Sequence, residues 1–212
     1  MLDFSNASRY THKEESGAAM NETTSIVNRI RDVVKTACYD DTNTFGPGIW
    51  DHHIVHVVRH GKRLAEQRQA DEEVVELAAL LHDYAGIKNP DWIKEHHIHG
   101  ANEADQLLSE LNYSREKIEL VKACILCHRG SVPHEKTSVE AECLADADAM
   151  AHFDSVPSLF YYLFTSTEKN IDEAAQWLSA KLERSWNKLS PFAKTISREK
   201  YEACQLVLGQ MG

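Results

Sequence analysis

A histidine and an aspartate stand side by side at His82-Asp83, closing the apolar run Ala78-Ala79-Leu80-Leu81. Neighbouring side chains on a helix point about 100° apart, so both can reach one point at the helix's inner edge. An imidazole nitrogen and a carboxylate oxygen aimed at one point are donors for a divalent metal ion. Two donors do not complete a site, and four histidines compete for the third place: His52, His53, His56 and His60. His52, His56 and His60 fall on a stripe that continues to Arg63 and Gln67 and so reads as a solvated face. His53 stands beside Ile54 and four residues before Val57, which aims its imidazole inward. A lone inward histidine is ordinarily a hydrogen-bonded core residue; the company of His82-Asp83 favours a ligand. The segment Leu144-Ala145-Asp146-Ala147-Asp148 offers a fourth donor. Asp148 follows Leu144 by four and precedes Ala151 by three, whereas Asp146 shares its face with Glu142, so Asp148 is the choice.

Further donors stand in Glu95-His96-His97-Ile98-His99-Gly100-Ala101 and at His128. Ile118, Val121, Ile125 and His128 share one helical face, which turns His128 toward the core. His96, His97 and His128 are therefore candidates for a second metal or for substrate; the competing view is that His96, His97 and His99 line the mouth of a one-metal pocket. Cys124 and Cys127 before His128 have the spacing of covalent haem attachment. They lie mid-helix among apolar neighbours in a chain without an export signal, so that reading is set aside.

The elements that must position these groups are helical throughout, because apolar residues recur at three- and four-residue spacing while β-branched alternation is nearly absent. Ile26, Ile30, Val33, Val34 and Ala37 give a first helix. After a turn-rich stretch over 40–48, Asp51 is expected to cap a second helix reaching about Gln67, and Asp71 a third that delivers His82 and Asp83. A loop with Asn89-Pro90 follows, then helices near 100–111, 114–128 and 138–152. Two or three more, rich in aromatics and broken at Pro191, complete the chain; they read as core or as a homodimer surface. Residues 1–22 are polar and aperiodic and read as a flexible arm. The expectation is an all-α, single-domain helical bundle over 23–212 with additional C-terminal helices.

Composition narrows the setting. The 212 residues are 42% hydrophobic, enough for a substantial core, and carry a formal net charge of -10 without a Lys/Arg run. Duplex nucleic acid is thus an unfavoured partner. No stretch has the roughly 18–20 apolar residues of a membrane span, and an odd count of five cysteines argues for a reducing compartment; the expected location is the cytoplasm.

The order His53, then His82-Asp83, then Asp148 resembles the HD-domain metal-dependent phosphohydrolases. The likeness runs over about 50–153, in the segments Asp51-His52-His53-Ile54-Val55-His56-Val57, Ala79-Leu80-Leu81-His82-Asp83 and Asp146-Ala147-Asp148-Ala149-Met150. It implies an all-helical fold with the metal at its centre and a small phosphorylated substrate, commonly a nucleotide. Several two-metal relatives, among them the HD-GYP phosphodiesterases, the diadenosine-polyphosphate hydrolases and the HD-type di-iron oxygenases, use a histidine four residues before a Gly-Ala pair as a ligand, here His96. Asp83 would then be the bridging carboxylate. Many relatives carry a lysine three residues after the aspartate of the pair, where this chain has Gly86, so Lys88 or Arg129 is the substitute expected to meet phosphate. Many also have an arginine where His56 stands.

The activity so implied is hydrolysis of a phosphomonoester or phosphodiester, with His82 and Asp83 catalytic. One or two divalent ions would be involved, from Mn, Fe, Co, Ni or Zn, with Mg admissible where carboxylates and water dominate. Two other readings stay open: an HD-type di-iron oxygenase, and a noncatalytic nucleotide-sensing module.

Overall fold

The computed structural model describes residues 25–43, 45–129 and 136–209, and among these there is no strand; the arm expected over 1–22 lies outside the described residues. Helix α1 (Ile26–Cys38) starts behind Ser25, whose hydroxyl accepts from the Asn28 amide, and buries Ile30, Val34 and Cys38. A π-helical turn, Trp50–Ile54, runs directly into α2 (Val55–Arg68). Asp51 therefore lies inside a helical turn instead of capping one. Its carboxylate accepts from the Tyr39 hydroxyl at 3.1 Å.

Helix α3 (Glu72–Leu81) begins where the sequence predicts, with Asp71 accepting from the Val74 amide at 3.1 Å and Glu72 and Glu73 at the positive end of the helix dipole. Only His82 and Asp83 separate it from the short α4 (Tyr84–Lys88), in a stretch the sequence reads as loop. Asn89 is extended, as a residue before proline must be, and caps the 3₁₀ turn Pro90–Glu95. Helix α5 (His96–Glu110) starts four residues before the expected position, so the histidine-rich stretch is helical from its first histidine. Next come α6 (Arg115–Cys127), α7 (Val139–Asp154), α8 (Val156–Ser166), α9 (Ile171–Lys188) and α10 (Pro191–Gly209). The expected break at Pro191 is the start of α10, where proline costs no hydrogen bond.

Helix α7 is the centre of the bundle, packed against α2, α3, α6, α9 and α10. Every residue from Cys143 to Phe153 is buried, so this helix shows no polar face. Its alanines let the neighbours approach closely. At Gly61 of α2 a Cβ would lie 3.1 Å from Val75 Cγ1 and 3.8 Å from Ala147 Cβ, which is why α2, α3 and α7 can meet with nothing between them. Among the described residues no helix is long and apolar enough to cross a membrane.

Of the His52/His56/His60 stripe, His52 is exposed, as are Arg63 and Gln67, whereas His56 and His60 are half-buried. His56 Nδ1 and His60 Nε2 lie 3.0 and 2.7 Å from Asp154 Oδ2, Arg59 donates to the same oxygen at 2.8 Å, and Lys200 of α10 pairs with the other one. Burial would push the Asp154 carboxyl up, but His60, Lys200 and His56 together hold it well below the usual range. Asp154 is buried while Arg59 and Lys200 are more than half exposed. Asp154→Asn is accordingly expected to cost roughly 2–4 kcal/mol, near the low end for breaking a buried pair. A carboxyl depressed on folding adds stability above its unfolded pKa of about 3.9 and loses it as pH falls through the folded value. The difference between wild type and variant should therefore be full at neutral pH and shrink in acid below about pH 4. Denaturant midpoints at pH 7 and pH 3 check this; equal midpoints at pH 7 refute it.

Candidate metal centre

The break between α3 and α4 presents His82 and Asp83, the π turn before α2 presents His53, and α7 presents Asp148. His53 Nε2 lies 3.2 Å from His82 Nε2, 3.3 Å from Asp83 Oδ2 and 3.6 Å from Asp148 Oδ1. His82 Nε2 is 3.2 Å from Asp83 Oδ2. His82 is fully buried and Asp148 nearly so. The structure thus brings the four residues selected from the sequence to one place.

Helices α5 and α6 bring a second set to the opposite oxygen of Asp83. His96 Nε2 lies 3.0 Å from His128 Nε2 and 3.4 Å from Asp83 Oδ1, and His128 Nε2 is 3.9 Å from that oxygen. Donor atoms of His53, His82 and Asp148 fall within 4.8 Å of one another, as do those of Asp83, His96 and His128. With metal–ligand bonds of about 2.0–2.2 Å, either group can surround one ion. Gly100 lies where α5, α6 and the end of α3 come together. A Cβ there would crowd Ile125 Cγ2 of α6 at 3.2 Å and meet the His82 carbonyl oxygen at an ordinary 3.5 Å, so glycine eases the close packing of α5 on α6.

The donor chemistry fits a cation. His82, His96 and His128 each direct Nδ1 at the carbonyl three residues back, Ala79 at 2.8 Å, Ile93 at 2.7 Å and Ile125 at 2.6 Å. A carbonyl oxygen only accepts, so Nδ1 carries a proton, and it is Nε2 that offers a lone pair whenever the ring is neutral. This is the arrangement in which an outer partner fixes a metal-binding tautomer. Burial, then the neighbouring His82, pushes His128 down to about 3, so its imidazole is neutral at ordinary pH. Facing lone pairs on His96 and His128 repel unless positive charge lies between them. On the other side, burial lowers the His82 pKa, but Asp83 and Asp148 outweigh it and raise it to about 9. Both carboxyls lie well below the usual range despite burial, Asp83 chiefly through His82 and Asp148 chiefly through Lys188.

The other sequence candidates stand elsewhere. Asp146 is fully buried, not turned outward with Glu142. Its oxygens accept from the Ser190 amide at 2.8 Å and the Ser190 hydroxyl at 2.5 Å, and Ser190 in turn accepts from the Ala193 amide in the first turn of α10. Burial raises its pKa. His97 is buried with its ring edge-on to His96 at 5.9 Å; among the described residues it belongs to neither donor group. His99 stacks on Trp92 at 4.6 Å. Lys88 pairs with Glu103 at 2.8 Å and lies over the Tyr84 ring, and Arg129 donates to the Lys94 carbonyl. Both have therefore been drawn to partners other than the centre.

Two residues at the centre escaped the sequence reading. His152, one turn beyond Asp148, stacks on the His53 ring at 5.3 Å, with Nε2 3.7 Å from Asp148 Oδ1 and Nδ1 3.0 Å from the Ser185 hydroxyl. The i, i+4 spacing from Asp148 could have found it. Lys188, at the end of α9, places Nζ 2.5 Å from Asp148 Oδ2; forty residues separate the two, and no local signal links them.

Residues 50–152 match the family model of the HD domain. This segment belongs to the HD-domain family. Over 121 residues it is 26% identical to the uncharacterized protein YpgQ of Bacillus subtilis (strain 168), a match covering 55% of this chain and 57% of that protein. The chain therefore matches little more than half the length of this curated relative. Among solved structures, a protein of Lactobacillus plantarum is similar with a TM-score of 0.69 at 19% identity, covering 89% of this chain and 95% of that one. YpgQ in complex with ADP gives 0.65 at 20% identity, covering 87% and 95%. A "predicted HD superfamily hydrolase" from an uncultured Thermotogales bacterium gives 0.51 at 21%, covering 82% and 91%. At these identities the structures share the fold. Because such coverage reaches beyond residue 152, these structures share part of the C-terminal helices as well.

Proposed function

We propose that this HD-domain protein is a metal-dependent phosphohydrolase with two ions in its centre, acting on a small phosphorylated molecule of the nucleotide class. The observation that carries this reading is the divided role of Asp83, whose Oδ2 faces His53 and His82 and whose Oδ1 faces His96 and His128. Each oxygen of Asp83 would thus be available to a separate ion. The ADP held by YpgQ supports a phosphorylated ligand in a relative of the same fold. Divalent ions held here would lower the pKa of a coordinated water toward neutrality and polarise a phosphoryl oxygen.

The chain's own groups supply the rest. Asp83 fixes the separation of the two donor groups, and the backbone carbonyls of Ala79, Ile93 and Ile125 hold three imidazoles in the donor tautomer. His152 and Lys188 hold Asp148 in place from α7 and α9. An oxygen of Asp83 or a pocket imidazole accepts the proton of the attacking water.

The test is metal analysis of the purified protein, followed by a screen of nucleotides and sugar phosphates run without oxygen. About two equivalents of divalent transition metal and anaerobic release of phosphate or a nucleotide are expected. Oxygen consumption by an iron-loaded protein that releases no phosphate would instead establish the di-iron oxygenase reading, and binding without turnover the sensing module.

A further inference from the structure

Helix α9 lies along α7 and turns one polar face toward the metal centre. Lys181, Ser185 and Lys188 stand at i, i+4 and i+7, the spacing of a single face. Two of the three have fixed partners there. Ser185 holds His152, whose ring stacks on His53, and Lys188 reaches both Asp148 and, at 2.7 Å, the carbonyl of His128.

Lys181 is one turn before Ser185 on this face. It is half-buried and makes no hydrogen bond or ion pair with any described residue, yet its charge is felt by His152, Asp148 and Asp83. An ammonium withdrawn from water without a partner costs free energy. Burial accordingly lowers its pKa, as do the nearby cations Lys188 and Arg184, while Asp148 and Asp83 oppose the shift. The two other cations offered for phosphate, Lys88 and Arg129, are held by Glu103 and the Lys94 carbonyl.

Charge balance specifies the kind of ligand. The carboxylates of Asp83 and Asp148 are matched by the ammonium groups of Lys181 and Lys188, so any charge brought by divalent ions is uncompensated. A ligand carrying several negative charges restores the balance; a neutral or singly charged one does not.

We propose that Lys181, which lies beyond the segment matched by the HD-domain model, is the phosphate-binding cation of this centre, and that its ligand is a diphosphate group. The inference rests on the hydrolase reading for where the ligand sits. A diphosphate can come from a nucleoside diphosphate or from free inorganic pyrophosphate, and the two probes of the test separate these sources.

The experiment measures binding of α,β-methylene-ADP and of methylenediphosphonate, whose P–C–P links resist hydrolysis, to the metal-loaded full chain by calorimetry. Lys181→Gln is expected to weaken both by roughly ten- to a hundredfold, the loss of one charged hydrogen bond. Lys181→Arg should keep most of the affinity, and Arg184→Gln, on the exposed side of the same helix, should bind like wild type. Metal content should be the same in all four proteins. Tighter binding of the ADP analogue than of methylenediphosphonate would make the nucleoside part of the ligand, and equal binding would assign free diphosphate. Unchanged binding by Lys181→Gln, loss of metal from that variant, or failure of wild type to bind either probe would each overturn the proposal. A protein that binds both probes through Lys181 but hydrolyses no phosphate ester keeps this inference and discards the hydrolase reading. Hydrolysis with Lys181-independent binding does the reverse.

Discussion

Asp83→Ala should strip the protein of both metal ions and of hydrolytic activity together. Asp83 touches both donor groups, through Oδ2 at 3.2–3.3 Å from His82 and His53 and through Oδ1 at 3.4 Å from His96. Its removal leaves one group with three donors and the other with two imidazoles. It also removes one of the two carboxylates of the centre. Loss of an outer hydrogen-bonding partner alone weakens a metal site by roughly 10–100-fold, and loss of a direct ligand should exceed that. Activity should fall by at least about 10³-fold. Asp83→Asn separates charge from shape: it keeps the side-chain volume while removing the anion, and should behave like alanine. Plasma emission measurement of metal per chain, alongside phosphate release, reads both effects. Metal and turnover surviving in Asp83→Ala would end the assignment of this centre as catalytic.

The second large effect belongs to His128→Ala. The group formed by Asp83, His96 and His128 should lose its ion while that of His53, His82 and Asp148 keeps its own. Metal content should drop by about one equivalent and turnover by roughly 10²–10³-fold. Because His128 is held neutral by burial, no proton competes for its Nε2 at ordinary pH, and its contribution to binding is direct. His128→Gln, closer in volume, controls for the cavity that alanine opens. His97 supplies the contrast, being outside both groups: His97→Ala should keep both equivalents. Full metal content and full turnover in His128→Ala would remove His128 from the ligand set and leave it as pocket wall.

Much of the helical order could be read along the chain because its signals are local. Ser25, Asp71 and the stripe Ile30, Val34, Cys38 lie within a few residues of the amides and faces they serve. The family resemblance was legible for the same reason, since each of its three segments is a run of only a few consecutive residues. Local reading failed where an element was buried on all sides or wound differently. Helix α7 has no polar face, so periodicity could not reveal that Asp146 and Asp148 are both buried, one bound to Ser190 and one at the centre. The π turn at 50–54 took Asp51 into a helical turn instead of leaving it as a cap, and the partner shared by His56 and His60, Asp154, lies on α7, far from them in sequence.

What the sequence by itself determined is the helical class and the inward aim of His53, His82, Asp83, Asp148 and His128, because a 3.6-residue period orients a side chain relative to its own helix. Only the tertiary structure decided which inward groups meet. The division of Asp83 between two histidine pairs, the choice of His96 over His97, the capture of Lys88 by Glu103 and the arrival of Lys181 and Lys188 from α9 all depend on distances between helices. Those distances are set by packing around Gly61, Gly100 and the alanines of α7, and no spacing along the chain encodes them.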